Sequence, residues 1–201
     1  SPMFRLLQGD VGSGKTIVAF YSLIHVVEAN YQGALMAPTE VLAKQHFKLF
    51  YELGEKLNIK VALLTSKICT AEKNKILSDI KNGKINIIVG THSIIQKNVL
   101  FKHLRLAIID EQHRFGVYQR LEFSKKSPNT DFMLMTATPI PRTLLLANYG
   151  DMDLSILYEK PNKRPNIKTV SVSNPRIKEV IIAIKRAITR GDQVFWVCPL
   201  V

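Results

Sequence analysis

The sequence predicts an α/β fold: a three-layer domain built on a parallel, doubly wound sheet. Three observations predict it. Short apolar runs alternate with helical patterns along most of the chain, the order that gives parallel strands with helices on both faces. A glycine-rich turn, Gly9-Asp10-Val11-Gly12-Ser13-Gly14-Lys15-Thr16, lies between the first apolar run and the first helical pattern. Polar clusters further along each follow the end of an apolar run, where ligands gather in such sheets.

Taken in order, residues 4–8 read as a short buried strand, and 17–27 sets Ile17, Phe20, Tyr21, Ile24 and Val27 on one helical face. A turn at 30–33 leads to a buried strand over 34–37. Pro38-Thr39 then opens a helix with apolar positions Leu42, His46, Leu49, Leu53 and Leu57. Residues 60–65 are a strand. Thr70 is placed to cap a helix running to Asn82, with Gly83 as the left-handed residue beyond it. Strands follow at 85–89, 104–109 and 132–135, ending respectively in Gly90-Thr91-His92, Asp110-Glu111-Gln112-His113 and Thr136-Ala137-Thr138-Pro139. Residues 159–167, with two prolines and several basic residues, read as a linker. Beyond it a strand at 168–172, a helix opened by Asn174-Pro175 and an apolar strand at 193–200 form a βαβ piece. Its helix has Ile177, Val180, Ile181, Ile184 and Ile188 as the buried face.

The glycine turn fits G-x-x-x-x-G-K-[ST] in the strand–loop–helix context this motif needs. Gly12 and Gly14 let the backbone bend so that N–H groups converge on phosphate oxygens at a helix N-terminus, where the dipole favours anions. Lys15 then reaches the β- and γ-phosphates, and the Thr16 hydroxyl ligates Mg²⁺. An acidic pair at a later strand end completes the needs of a P-loop hydrolase: Asp110 for the Mg²⁺ shell, Glu111 to polarise the attacking water. Directly after them, His113 is placed for the γ-phosphate network. Two readings of Thr136 and Thr138 stay open: hydroxyls that report on the γ-phosphate, or caps for a helix starting near Pro139.

Length and charge bound the rest. The 201 residues suit one domain, or one domain and part of a second, and the net charge of +12 points to a polyanionic partner. Nucleic acid leads over membrane, because no basic amphipathic helix dominates. Backbone-contact candidates are Thr39, Gln45, Lys67, Thr91, His92 and Arg105; such contacts grip phosphates without reading bases. Lys125-Lys126 reads as an ordinary solvated loop. The two cysteines, Cys69 and Cys198, lie far apart and read as reduced thiols. With no signal segment and no apolar run long enough for a bilayer, the expectation is a cytoplasmic protein.

The phosphate loop, Ala37-Pro38-Thr39-Glu40, Gly90-Thr91-His92, Asp110-Glu111-Gln112-His113-Arg114-Phe115-Gly116 and Met135-Thr136-Ala137-Thr138-Pro139-Ile140-Pro141-Arg142-Thr143 resemble the successive motifs of superfamily 2 helicases. Their wording is similar to that of the RecG family of bacterial branch-migration helicases. Transcription-repair coupling factors share the Arg-Phe-Gly and Thr-Ala-Thr-Pro stretches but usually show Phe in place of Ser13 and Glu in place of Gln112, and a motor domain of that kind is the alternative. A non-catalytic nucleic-acid-binding module is the further alternative, opposed by an intact set of Lys15, Thr16, Asp110 and Glu111.

The resemblance implies a RecA-like motor domain that hydrolyses ATP with Mg²⁺ to move on double-stranded and branched DNA, remodelling stalled forks and Holliday junctions in repair and recombination. It implies roles for Gln112, His113, Thr136 and Thr138 in coupling hydrolysis to motion, and DNA-backbone contacts from Thr39, Thr91 and His92. Leu64-Thr65-Ser66-Lys67 departs from the pattern, lacking the glycine expected after the threonine. The implied domains are 1–158 (first motor domain), 159–167 (linker) and 168–201 (start of a second motor domain). In the whole protein a DNA-binding wedge and an adenine-recognising segment are implied upstream, and an arginine finger downstream. Without them this chain is expected to be a monomer that binds ATP weakly, hydrolyses it barely and unwinds nothing.

Overall fold

The structure, a computed structural model, describes residues 2–110, 122–123, 126–138, 152–159 and 168–198. It divides into two compact units, Ser1–Pro161 and Asn162–Val201.

The first unit is a seven-stranded sheet in which every pairing is parallel. Its strands are β1 (Phe4–Gly9), β2 (Gln32–Met36), β3 (Val61–Leu64), β4 (Ile87–Gly90), β5 (Leu104–Asp110), β6 (Asp131–Thr136) and β7 (Asp153–Leu157). They lie in the order β3-β4-β2-β5-β6-β1-β7. Parallel strands cannot be joined by a tight turn, so each needs a crossover. Helices α1 (Lys15–Glu28), α2 (Glu40–Lys56) and α3 (Thr70–Lys81), with a 3₁₀ turn at His92–Ile95, supply several of these.

Side chains alternate along each strand between two cores. Leu6, Ala34, Met36, Ile88, Ala107, Ile109 and Leu134 face one that includes Ile80 of α3 and Ile94 of the 3₁₀ turn. Leu7, Leu35, Ile87, Val89, Ile108 and Met135 face the other, with Ala19, Phe20 and Leu23 of α1 and Ala43 and Phe50 of α2. Burial on both faces is why these strands read as continuous apolar runs rather than alternating ones. The expected three layers are present.

Several local expectations shift. Helix α1 buries Ala19, Phe20 and Leu23, while Ile17 and Tyr21 are exposed. Gly33 explains the choice: a Cβ there would lie 2.3 Å from Leu23 Cδ2, so its absence lets α1 sit down on β2. Helix α2 buries Ala43, His46, Phe50 and Gly54, with Leu57 exposed at its end. The small residues again set the seam, since a Cβ on Gly54 would lie 2.9 Å from the Ile59 carbonyl. Cys69, not Thr70, is the N-cap of α3. Gly83 does take the left-handed conformation, φ 73°. Strand β7 was not expected; it is short and exposed at its start, and Arg5 of β1 holds it through Ser155 (2.8 Å) and Asp153 (3.1 Å).

The amino edge of the sheet is closed by one buried amide. Gln32 Nε2 donates to the carbonyls of Ile80 (3.0 Å) and Ile85 (2.8 Å), and its Oε1 accepts from the N–H groups of Lys102 (2.9 Å) and His103 (3.1 Å). Every hydrogen-bonding capacity that matters in a buried amide is thereby met. Lys126 departs from the solvated loop expected of it: burial pushes its ammonium below the usual lysine range, and Nζ donates to the carbonyls of Gln96 (2.7 Å) and Val99 (2.8 Å).

The second unit holds a 3₁₀ turn, Asn174–Arg176, and helix α4 (Ile177–Thr189). The strands expected at 168–172 and 193–200 do not form in its described part, 168–172 and 193–198. A strand persists only with a hydrogen-bonded neighbour, and none of the described segments offers one. For the same reason the α4 face expected to be buried is not: Ile177, Ile181 and Ile188 are exposed. Among the described helices none is long and apolar enough to cross a membrane.

Candidate functional site

The carboxyl edge of the sheet carries almost every predicted residue that the structure describes. On one half, β1 ends at Gly9 and runs into the phosphate loop. Gly12 and Gly14 adopt φ of 80° and 97°, conformations open to glycine and costly for other residues. Gly14 is the N-cap of α1, and its carbonyl accepts from Ile17 and Val18 N–H. The N–H groups of Lys15 and Thr16 are thereby left at the head of the helix, where its dipole is positive. Lys15 Nζ donates to the carbonyls of Gly9 (2.6 Å) and Asp10 (3.0 Å), which fixes the ammonium over the loop. Val11 N–H donates to Asp10 Oδ1 (2.7 Å) and Ser13 N–H to the Asp10 carbonyl (3.1 Å), shaping the turn.

Three features test whether this loop suits a phosphate chain. Gly9 is tight: a Cβ there would lie 2.4 Å from Ser13 Oγ and 3.0 Å from Leu157 Cβ, so the loop packs closely at its root. Gly14 is open, with nothing within 4 Å of the position its Cβ would take. Ser13 Oγ is buried without a hydrogen-bond partner among the described residues, a polar atom that a bound phosphate can satisfy. A root that is closed, a mouth that is open and donors that converge fit a nucleoside triphosphate.

Asp110 is the last residue of β5. It is level with Met135 of β6, which is level with Leu7 of β1. Only β6 separates β5 from β1, so Asp110 lies two strand spacings, roughly 9.5 Å, from Leu7, which is two residues before the loop root at Gly9. The hydroxyl of Thr16 and the carboxylate of Asp110 are hard oxygen donors of the kind magnesium takes. His46, which the sequence pattern sets at an apolar position of α2, meets this carboxylate: its Nε2 lies 2.8 Å from Asp110 Oδ2, with both residues buried. A lone imidazole on an otherwise apolar stripe is the one signal of this role that the sequence offers.

Thr136 closes β6 between these strands, fully buried, with its Oγ1 3.1 Å from Thr138 Oγ1 and accepting Thr138 N–H at 3.2 Å. The helix expected near Pro139 lies outside the described residues, as do Glu111, Gln112 and His113.

The other half of the edge is formed by β3, β4 and β2. Thr39 caps α2, accepting Leu42 N–H at 3.3 Å, and is exposed. Thr91 is the residue before the 3₁₀ turn that begins at His92. Gly90 makes this junction possible: a Cβ there would lie 2.0 Å from the Leu64 carbonyl oxygen. Glu40 accepts from Ser66 Oγ (2.8 Å) and pairs with Lys67 (3.2 Å). The Ser66 hydrogen bond holds the Glu40 carboxyl below its usual range against the opposing effect of burial, with Lys67 aiding. Gln45 is exposed on α2. Arg105 is not brought here. It is the second residue of β5, at the opposite edge, bonded to the Asn129 carbonyl (2.9 Å) and paired with Asp131 (3.4 Å).

A P-loop, a carboxylate two strands away and a row of hydroxyls beside them define a motor domain of the helicase class. The DEAD/DEAH box helicase family model matches residues 4–146, and the chain belongs to that family, within its RecG branch. The chain is 48% identical over 200 residues to the ATP-dependent DNA helicase RecG of Thermotoga maritima, covering 100% of this chain and 26% of that protein. To the Bacillus subtilis protein of the same name it is 46% identical, covering 99% of this chain and 29% of the relative. A solved structure of RecG bound to a three-way DNA junction superposes with a TM-score of 0.82 at 45% identity, over 100% of this chain and 27% of that one. The Hef helicase domain of Pyrococcus furiosus, 21% identical with a TM-score of 0.59 over 76% of this chain and 35% of that one, shares the fold. The chain thus spans less than a third of its RecG relatives, and its fold is the RecA-like α/β fold of this family.

Proposed function

We propose that this chain is the ATP-binding motor segment of a DNA translocase that remodels stalled forks and Holliday junctions, with Mg²⁺–ATP as fuel and double-stranded or branched DNA as track. The domain reading is 1–158 for the first motor domain, 159–167 for a linker and 168–201 for the start of a second. What carries the proposal is one juxtaposition: phosphate loop, Asp110 and Thr136 share the carboxyl edge with Thr39 and Thr91.

The loop N–H groups and Lys15 bind the β- and γ-phosphates, and Thr16 with Asp110 would hold magnesium. When bound, the metal would supply charge neutralisation on the phosphates. Glu111 accepts a proton from the attacking water, and Gln112 and His113 couple hydrolysis to motion. Thr136 joins the nucleotide half to the chain beyond β6. Thr39, Thr91 and His92 grip phosphates of the DNA backbone, which suits movement over any sequence.

The test is ATP turnover, with and without branched DNA, by this chain alone and by a RecG relative carrying this segment in place of its own. The chain alone should bind ATP with little turnover, since a missing arginine finger typically costs about 10³–10⁵-fold. In the exchanged protein, Glu111→Gln should keep ATP binding and abolish DNA-stimulated turnover. Unchanged turnover in that variant would remove Glu111 from the chemistry, and brisk turnover by the chain alone would refute the dependence on further parts.

A further inference from the structure

We propose that His46 is a positioning residue for the metal site: from the buried stripe of α2 it orients the Asp110 carboxylate by donating from Nε2 at 2.8 Å. The inference rests on the nucleotide site proposed above and adds a residue to it.

The position is one where the fold asks for an apolar side chain. The residues that α2 buries are Ala43, His46, Phe50 and Gly54, one stripe at helical spacing. An imidazole there costs stability unless both its nitrogens and its neighbours are satisfied. Its ring is braced by Phe50, with centroids 6.2 Å apart, and Phe50 in turn packs on Phe20 of α1 at 4.9 Å. The imidazole is therefore aimed, not merely accommodated.

What it is aimed at is the terminal residue of β5. A carboxylate only accepts, so Nε2 carries the hydrogen of this bond and Nδ1 is left as the second ring position. Asp110 is itself buried, and a buried carboxylate without a donor is strongly disfavoured. With Oδ2 committed to His46, the carboxylate plane is fixed relative to the loop two strands away. Groups that hydrogen-bond a metal-holding side chain orient it and set its affinity, and their loss typically costs about 10–100-fold in metal affinity. A purely structural histidine would have no such signature.

The test uses this chain and a fluorescent ATP analogue titrated with Mg²⁺. His46→Phe fills the site with an apolar ring of similar size and removes the donor; it should raise the half-saturating Mg²⁺ concentration by about 10–100-fold, with analogue binding in the presence of a chelator unchanged. His46→Gln, which restores an N–H donor, should recover most of the loss. In an Asp110→Asn background the His46→Phe effect should vanish, because the two residues act as a unit. Nitrogen NMR of the labelled imidazoles reads the bond without nucleotide: His46 Nε2 should be protonated, and the signal should shift on Asp110→Asn. Equal Mg²⁺ demand in the wild type and His46→Phe, or an effect that persists at full size in the Asp110→Asn background, overturns the inference alone. Absence of any Mg²⁺-dependent nucleotide binding by the folded wild type, with the NMR signal intact, overturns the nucleotide site and this inference together.

Discussion

On the β1–β6–β5 half of the sheet's carboxyl edge, the polar groups are tightly determined: glycines at positive φ, an ammonium on two carbonyls, a buried carboxylate on a buried imidazole. On the β3–β4–β2 half they are an exposed hydroxyl that caps α2, a half-buried one before the 3₁₀ turn and a carboxylate–lysine pair at the surface. The difference stems from the ligands proposed for each. A triphosphate with its metal is small and must be held in one pose for chemistry, which calls for preorganised donors. A DNA backbone is long, repetitive and must be released, which calls for many weak contacts.

If the halves are separate in this way, changes in one should leave the other nearly intact. The largest effect is expected from Lys15→Ala. It should weaken binding of the metal–ATP complex by about 10²–10³-fold with DNA affinity unchanged, read by paired fluorescence titrations. A comparable loss of DNA affinity would break the separation. Next is Gly90→Ala, whose Cβ would meet the Leu64 carbonyl oxygen at 2.0 Å and force the ends of β3 and β4 apart. Denaturant unfolding should show a loss of about 2–3 kcal/mol, while nucleotide affinity of the folded protein stays within about twofold, as expected of distant sites.

A smaller effect belongs to Thr39→Ala, which removes the side chain that caps α2. It should cost about 1 kcal/mol in thermal stability and reduce DNA affinity a few-fold, with Thr39→Ser restoring both. The smallest concerns Glu40. Its carboxyl is depressed in the folded protein, so its contribution is present above its unfolded value and is lost as pH falls through the folded one. Ser66→Ala should move the Glu40 titration up toward the ordinary carboxylate range, tracked by carbon NMR across the acid range. An unchanged titration would show that Lys67, not Ser66, dominates.

The nucleotide half is the more legible in sequence for a physical reason. Its chemistry is local: Gly9 to Thr16 are contiguous, and glycine is favoured where φ turns positive, as at Gly12 and Gly14, so the spacing itself is informative. Asp110 can be read because it ends an apolar run. The other half is assembled from residues whose single signals are weak, and Arg105 shows the failure: a cation with no neighbour in sequence to say which edge it occupies. The apolar faces of α1 and α2 differ from the periodic expectation by about one position, since the seam is set by Gly33 and Gly54, small residues whose value emerges only against a packed neighbour.

By itself, then, the sequence determined the alternation of strand and helix, the phosphate loop and the acidic strand end, because each is written in consecutive residues and obeys backbone geometry. Tertiary structure alone decided the strand order, the addition of β7 beside β1, the unformed strands around α4 and the meeting of His46 with Asp110. These depend on which surfaces find partners across the chain, and long-range pairing leaves no periodic trace in the residues that make it.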